Sequence, residues 1–314
     1  MTAIANVDSV GTTEEAVPMR RSDYERQPAP EFLFERRPLR RWPPVAAQPG
    51  EAILVVGKQP AHRGTRHEER VIPRGDAPIL TVTSDPNNSI AVVAGDRPDW
   101  KLSFWAEGGG QTEAQANQRL QNCLFSVTGT VVSLSRPDGF EELDACNELL
   151  VEAPHDSGVV IHGSYAAVEV RDLAGSVRIA ATHARATVLN TTGQVDATAG
   201  VVDYAGSRGR VTLSAEAEIN LKITAPEFDG TVLAWAQRSV RMLVPAGFNT
   251  PFKAIVGRRD DFVCRADFRS KVKQSRQGEL YVYTYDLSAD GTRIHLHLRS
   301  EASTVVIDKI REAQ

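Results

Sequence analysis

The hydrophobic positions of this chain fall mainly in short runs with a period of two. From Glu51 to Glu107 the runs "AILVVG", "ILTVTS", "SIAVVAG" and "WKLSFWAEG" alternate with turn residues such as Pro86-Asn87-Asn88 and Gly95-Asp96. Alternation bounded by turn residues predicts short β-strands. One segment departs from it. "GGGQTEAQANQRLQNC" offers Thr112 as a helix N-cap with Gln115 three residues on, the spacing of a capping box. Leu120 and Leu124 supply an apolar face, so one short helix is expected near residues 112–123, with Gly108-Gly109-Gly110 as a hinge before it. "CLFSVTGTVVSLSRPDG" and "NELLVEAP" then return to strands.

The pattern becomes a repeat after residue 157. Shifted by eighteen residues, the stretch from Val168 to Gly200 lies on itself: Gly175 falls on Gly193, Val177 on Val195, Val170 on Val188 and Asp172 on Asn190. Its core, Gly-x-Val-x-small or apolar, recurs as "GVVIH" at Gly158, "GSVRI" at Gly175, "GQVDA" at Gly193, "GRVTL" at Gly209 and "GTVLA" at Gly230, at intervals of 17, 18, 16 and 21 residues. Between these cores lie second strands, "AAVEV", "ATVLN", "VVDYA" and "AEINLKI". A short strand, a glycine corner, a second strand and another corner make one turn of about eighteen residues. Alternation then sends Val168, Val170, Val177, Ile179, Val188, Val195 and Ala197 inward, and Glu169, Arg171, Arg178, Asp196 and Thr212 outward. Gly158, Gly175, Gly193, Gly209 and Gly230 take the corners because glycine tolerates positive φ. The fold class expected is all-β, a β-solenoid with about 18-residue coils. An antiparallel sandwich with hairpins of similar length is the alternative. Arg178 falls over Asp196 in this register, as a surface ion pair.

The domain reading follows from these changes of texture. Residues 1–50 read as a disordered Pro/Arg-rich arm, broken by Pro18, Pro28, Pro30, Pro38, Pro43, Pro44 and Pro49. Residues 51–157 form an N-terminal β region with the helix, 158–268 the repeat solenoid, and 269–314 capping strands. In the last region Tyr281, Tyr283 and Tyr285 share a face. "GTRIHLHLRSEASTVVIDK" alternates with Ile294, Leu296 and Leu298 inward and Arg293, His295, His297 and Arg299 outward. A terminal hairpin there would cover the open edge that a solenoid otherwise exposes.

Composition narrows the function classes. Of 314 residues 41% are hydrophobic and 24% charged, which suits a globular chain able to bury a substantial core. A net charge of -4 gives no case for nucleic acid or acidic substrates. Cys123, Cys146 and Cys264 have no framework spacing and read as buried small hydrophobes in a reducing compartment. There is no signal-peptide pattern and no apolar run long enough for a membrane span, so the cytoplasm is the default compartment.

At this point residues 77–310 resemble the DUF4097 family, bacterial β-strand-repeat proteins classed as adhesins on their shape. The resemblance is carried by "LTVTSDPNNSIAVVAG", by "TEAQANQRLQNC", by "NELLVEAPHDSGVVIHGSYAAVEVRDLAGSVRI" and by the closing "HLHLRSEASTVVIDK". It departs at Asn88-Ser89 and at Glu301-Ala302-Ser303, where the family has glycine turns. The resemblance implies a β-helical scaffold and brings no catalytic residues.

Candidate chemistry is sparse. Gly108-Gly109-Gly110 continues as Gln-Thr instead of the Lys-Ser/Thr of a phosphate loop. His295 and His297 have the spacing of a metal pair, but Arg293 and Arg299 share their face and repel a cation. His155, His162 and His183 are scattered. Asp172, Asp196 and Asp203 do not converge in the eighteen-residue register, as a carbohydrate-cleaving site would need. No G-x-S-x-G is present, and the sequons at Asn87 and Asn190 read as chance matches. No catalytic residue, cofactor or metal is assigned. Within the arm, Phe32, Phe34, Arg36, Arg37, Arg40, Arg41 and Trp42 form a candidate docking motif for a partner or an anionic membrane surface. The expected function is a non-enzymatic scaffold or adhesin-like protein that binds a protein partner or itself. The alternative is a carbohydrate-binding or carbohydrate-active β-helix, using aromatics such as Trp235, Tyr204 and Tyr165.

Overall fold

The computed structural model describes residues 61–75, 78–85, 88–135, 145–164, 167–285, 295–300 and 304–310; the arm and its docking residues Phe32, Phe34, Arg36, Arg37, Arg40, Arg41 and Trp42 lie outside them. Within the described residues the fold is all-β with one α-helix. The chain opens with β1 (His62–Pro73), β2 (Ile79–Ser84), β3 (Asn88–Gly95) and β4 (Asp99–Gly110), followed by α1 (Glu113–Asn122), β5 (Leu124–Thr128), β6 (Val131–Ser135) and β7 (Ala145–Pro154). The repeat region holds β8 (Gly158–Ser164), β9 (Ala167–Arg171), β10 (Val177–Leu189), β11 (Gln194–Gly206), β12 (Arg208–Ile223), β13 (Asp229–Ala236) and β14 (Ser239–Val244). The last part holds β15 (Phe252–Val256), β16 (Phe262–Cys264), β17 (Lys273–Gln277), β18 (Leu280–Tyr285), β19 (Leu296–Ser300) and β20 (Thr304–Lys309).

These strands build two hydrogen-bonded ladders. The first runs β5-β6-β2-β8-β10-β11-β12-β13-β19-β15-β18-β17. The second runs β1-β4-β7-β3-β9-β10-β11-β12-β14-β20-β16. The long strands β10, β11 and β12 serve both, with their first halves in the first ladder and their second halves in the second. The register breaks between Ala181 and Arg185 and between Ala199 and Val201, where the chain bends. His183, at the first bend, takes φ 54°. Pairing from β8 to β14 is parallel throughout. The antiparallel hairpins of a sandwich are therefore absent from these strands: the two halves of each repeat lie in different ladders.

The apolar period of two explains the interior. Val159, Ile161, Val177, Ile179, Val195, Ala197, Val211 and Leu213 face inward from the first ladder. Val168, Val170, Ala186, Val188, Val202, Tyr204, Ile219 and Leu221 meet them from the second. Burial at this scale is the main stabilising term, about 1.5–3 kcal/mol for each large aliphatic side chain. Outward positions Glu169, Arg171, Arg178, Asp196 and Thr212 all stay partly or fully accessible.

The repeat glycines have a different role from the one their corners suggest. A Cβ on Gly175 would lie 2.1 Å from the Ser157 carbonyl oxygen, one on Gly193 2.2 Å from Gly175 O, and one on Gly230 2.2 Å from Gly209 O. The slot thus runs Ser157-Gly175-Gly193-Gly209-Gly230 along the stack, and Gly is needed for close backbone approach. Positive φ is confined to Gly209 and Gly230 within this set. Gly158 stands one place out of the slot, because Val159 pairs with Val177 at an interval of eighteen. Positive φ is taken at the opposite corner too, where Asp172 (φ 60°) and Asn190 (φ 54°) are stacked. Asn190 Nδ2 donates to Asp172 Oδ1 at 3.2 Å. Asx residues tolerate this region better than most.

The ends are interleaved. β2 and β3 precede β6 and β7 in sequence, yet they lie between β6/β7 and β8/β9. At the other end β19 and β20 lie between β13/β14 and β15/β16. The hairpin β17–β18 is the outermost element there, packing Tyr283 and Tyr285 against Phe248, Phe252, Phe262 and Phe268. The described strands of residues 269–314 therefore divide: β17 and β18 lie at the end, while β19 and β20 are interior. The reason is that Leu296 and Leu298 alternate with exposed residues but have a paired strand on both edges.

α1 seals the other end. Thr112 Oγ1 accepts from Gln115 N at 3.2 Å, and Gln115 Oε1 accepts from Gln111 N at 3.0 Å. Gly108 and Gly110 belong to β4 and form no hinge. A Cβ on either would meet helix backbone at 2.5–2.7 Å, so their bareness lets α1 lie flush on the sheet. Leu124, expected on the helix face, lies in β5 and is exposed.

Candidate interaction face

The outer surface of the first ladder carries two neighbouring columns of side chains. Thr212, Leu233, His297 and Lys253 align across β12, β13, β19 and β15. Beside them run Ser214, Trp235, Arg299 and Ile255. Alternation forces Leu233 and Trp235 outward because Val232, Ala234 and Ala236 fill the interior. Leu233 is 52% exposed, and Trp235 is half-buried between the strands on either side. A half-buried aromatic and an exposed aliphatic group with Thr, Ser, His and Arg around them make an amphipathic surface, suited to a protein or carbohydrate contact.

The second ladder's outer surface is polar and internally paired. Asp203 is 1% exposed although it faces outward. Arg185 Nε donates to its Oδ2 at 2.5 Å, Arg185 Nη2 to its Oδ1 at 3.1 Å, and Asn220 Nδ2 to Oδ1 at 2.9 Å. Further along, Asp308 accepts from Arg241 at 3.0 Å and Arg265 at 3.2 Å. Arg171 pairs with Glu169. Near β1, Glu107 is buried against Arg63 at 2.5 Å. Burial pushes its carboxyl above the usual range, with Arg63 opposing the shift.

The residues singled out by sequence are dispersed. Asp172 accepts from Asn190 at a corner, Asp196 from Gln194 at 2.9 Å, and Asp203 from Arg185 and Asn220. His183 Nδ1 lies 2.8 Å from Glu216 Oε2, and His295 Nδ1 lies 2.7 Å from Gly230 O. His162 and His297 face outward on separate strands, and His155 is in a turn. Among the described residues no group of three or more His, Cys, Asp or Glu is placed to hold a metal ion. Tyr204 points inward and is fully buried, which raises its hydroxyl pKa and removes it from any outer groove. Tyr165 lies outside the described residues, leaving Trp235 as the outward aromatic of the three. Cys123 and Cys264 are buried; the Cys123 thiol donates to Arg119 O at 3.4 Å, and burial raises the pKa of Cys264.

The Arg185–Asp203–Asn220 network escaped the sequence reading. Its signal was present: the three residues are 18 and 17 apart and share outward parity. No helix among the described residues is long and apolar enough to cross a membrane.

No family model matches the chain, and no curated protein matches it. Solved structures are similar at low identity. One is a "putative cell adhesion protein" from Clostridium sporogenes, 11% identical, covering 78% of this chain and 99% of its own, with a TM-score of 0.30. A second is a "putative adhesin" from Bacteroides fragilis, 9% identical, covering 81% of this chain and 100% of its own, with a TM-score of 0.36. A third, from Parabacteroides merdae and of the same name, is 6% identical, covers 81% and 99%, and has a TM-score of 0.30.

Proposed function

We propose that this chain is a non-enzymatic β-solenoid scaffold of adhesin-like type, which presents the outer face of its first ladder to a macromolecular partner. The observation that supports this reading is the parallel register itself. Strands repeated at an interval of about eighteen residues stack in register from β8 to β12, and the converging polar groups on their outer surface are structural ion pairs such as Arg185–Asp203. Parallel rounds that contact only their neighbours make an extended face well suited to contact and poorly suited to enclosing a substrate. The resemblance of residues 77–310 to the DUF4097 family points the same way. We place the contact at Leu233 and Trp235, with the Phe32–Trp42 stretch of the arm as a tether.

A second reading has one observation in its favour. Trp235 stands outward between Ser214 and Arg299, an arrangement that could stack on a sugar ring.

The test is a native pull-down with three baits: the full chain, residues 51–314, and the full chain carrying Leu233→Asp with Trp235→Ala. A defined protein partner lost with the double variant supports the scaffold reading. Loss with residues 51–314 alone assigns the contact to the arm. Retention of glycans by the full chain and not by the double variant supports the carbohydrate reading. Turnover of a glycan would overturn the non-enzymatic assignment.

A further inference from the structure

The strand pair β19/β20 occupies a slot with hydrogen-bonding edges on both sides. Leu296, His297, Leu298 and Arg299 pair with Val232–Trp235 on one edge and with Phe252–Ile255 on the other. Val305, Val306 and Ile307 pair with Val240–Met242 and with Phe262–Cys264. The inward side chains Leu296, Leu298, Val305 and Ile307 are buried between those of the two flanking rounds. Asp308 repeats the pattern in charge: Arg241 from the earlier round and Arg265 from the later one hold its two oxygens. The ends of the slot are sealed by backbone bonds from Val232 to His295 O at 2.8 Å, Arg265 to Ile307 O at 2.8 Å and Ile310 to Val244 O at 2.8 Å.

This order has a consequence for assembly. The flanking rounds come from residues 229–244 and 252–264, both earlier in the chain, and their facing edges pair with the later segment. Until residues 296–309 arrive, both edges are open parallel templates, the condition under which strands recruit other chains. Nothing in the slot distinguishes the chain's own segment from an identical one: the register, the four apolar side chains and the Asp308 carboxylate are the same. Intramolecular closure is favoured by effective concentration, so exchange belongs to conditions of high protein concentration during folding.

We infer that the slot between β13/β14 and β15/β16 is a binding site for strands β19 and β20 of a second copy of this chain, so that copies link by exchanging this strand pair. The inference rests on strand register and not on the outer face at Trp235, so either can fail without the other.

The test uses the full chain with a protease site placed between Ala289 and Asp290. The protein is cleaved when folded, unfolded in urea, and refolded by dilution with an excess of fluorescent peptide spanning residues 290–314. Incorporation of one labelled peptide per body on gel filtration, lost for a peptide carrying Leu298→Asp, is the expected result. A refolded body that regains its far-UV spectrum and excludes the labelled peptide overturns the proposal. Should the cleaved chain fail to refold, uncut chains with two different tags are refolded together at high concentration. Stoichiometric mixed dimers are then expected, and monomers alone overturn it.

Discussion

Arg185 grips Asp203 across neighbouring strands with two guanidinium nitrogens, at 2.5 and 3.1 Å, while Asn220 donates to the same carboxylate from the strand beyond. The carboxylate is buried, yet its partner Arg185 is half-exposed. The network therefore spans three consecutive rounds and resists their sliding past one another. Arg185→Ala leaves a buried charge with one donor and is expected to lower stability by about 1–3 kcal/mol. Asp203→Asn keeps the shape and some hydrogen bonding and is expected to lower it less. Urea unfolding of the two variants checks the ranking; equal or reversed midpoint shifts would contradict it.

Gly193 tests the stacking slot from the middle of the repeat. An added methyl group would lie 2.2 Å from Gly175 O and 2.5 Å from Ala174 O. Backbone carbonyls in a paired ladder cannot swing aside, so Gly193→Ala is expected to cost about 1–3 kcal/mol or more. Gly95 has open space around its Cβ position, so Gly95→Ala is expected to change stability by no more than about 0.5 kcal/mol. Thermal midpoints of the pair distinguish stacking from a general intolerance of substitution at glycine.

Glu107 gives a pH dependence of defined sign. Folding raises its pKa, chiefly by burial, so the unfolded chain releases this proton more readily than the folded one. The group is neutral in both states well below the unfolded value and opposes folding as pH rises through the folded value. Glu107→Gln is therefore expected to gain stability relative to the parent near neutrality, with the gain shrinking as pH falls below the ordinary carboxylate range. Loss of the Arg63 contact at 2.5 Å limits the gain. Melting temperatures of both proteins across pH 4 to 8 would refute the assignment if the advantage grew toward acid.

Leu233 and Trp235 are predicted to matter for contact and not for stability. Leu233 is largely solvent-exposed, so Leu233→Ser is expected to alter stability by no more than about 0.5 kcal/mol. Trp235→Ala removes a side chain that only partly packs on its strand neighbours. Both variants are expected to fold and to weaken partner capture together. A variant that melts early, or one that keeps full capture, would show that this face is a packing surface and not a contact.

Part of this architecture is written locally. The period of two in "VEVRDLAGSVRIAATHARATVLN" fixes which side chains go inward, and Val168, Val170, Val177, Ile179 and Val188 are all buried. The eighteen-residue self-match fixes which residues are neighbours, so Val177 pairs with Val195 and Asp172 stacks on Asn190. Thr112 and Gln115 fix the helix start. Each of these depends on chemistry within one repeat or one turn.

Tertiary structure decided the rest. The true glycine slot passes through Ser157 and leaves Gly158 outside, because the backbone pairing of Val159 with Val177 sets the register and a glycine that recurs in the sequence pattern does not. The depth of Asp203 on an outward face depends on Arg185 and Asn220 arriving from neighbouring rounds. The placement of β2/β3 and β19/β20 inside the stack has no local signal. A strand's inward and outward alternation is the same at the end of a ladder as in its interior, and only the edges left open by other strands determine where it inserts.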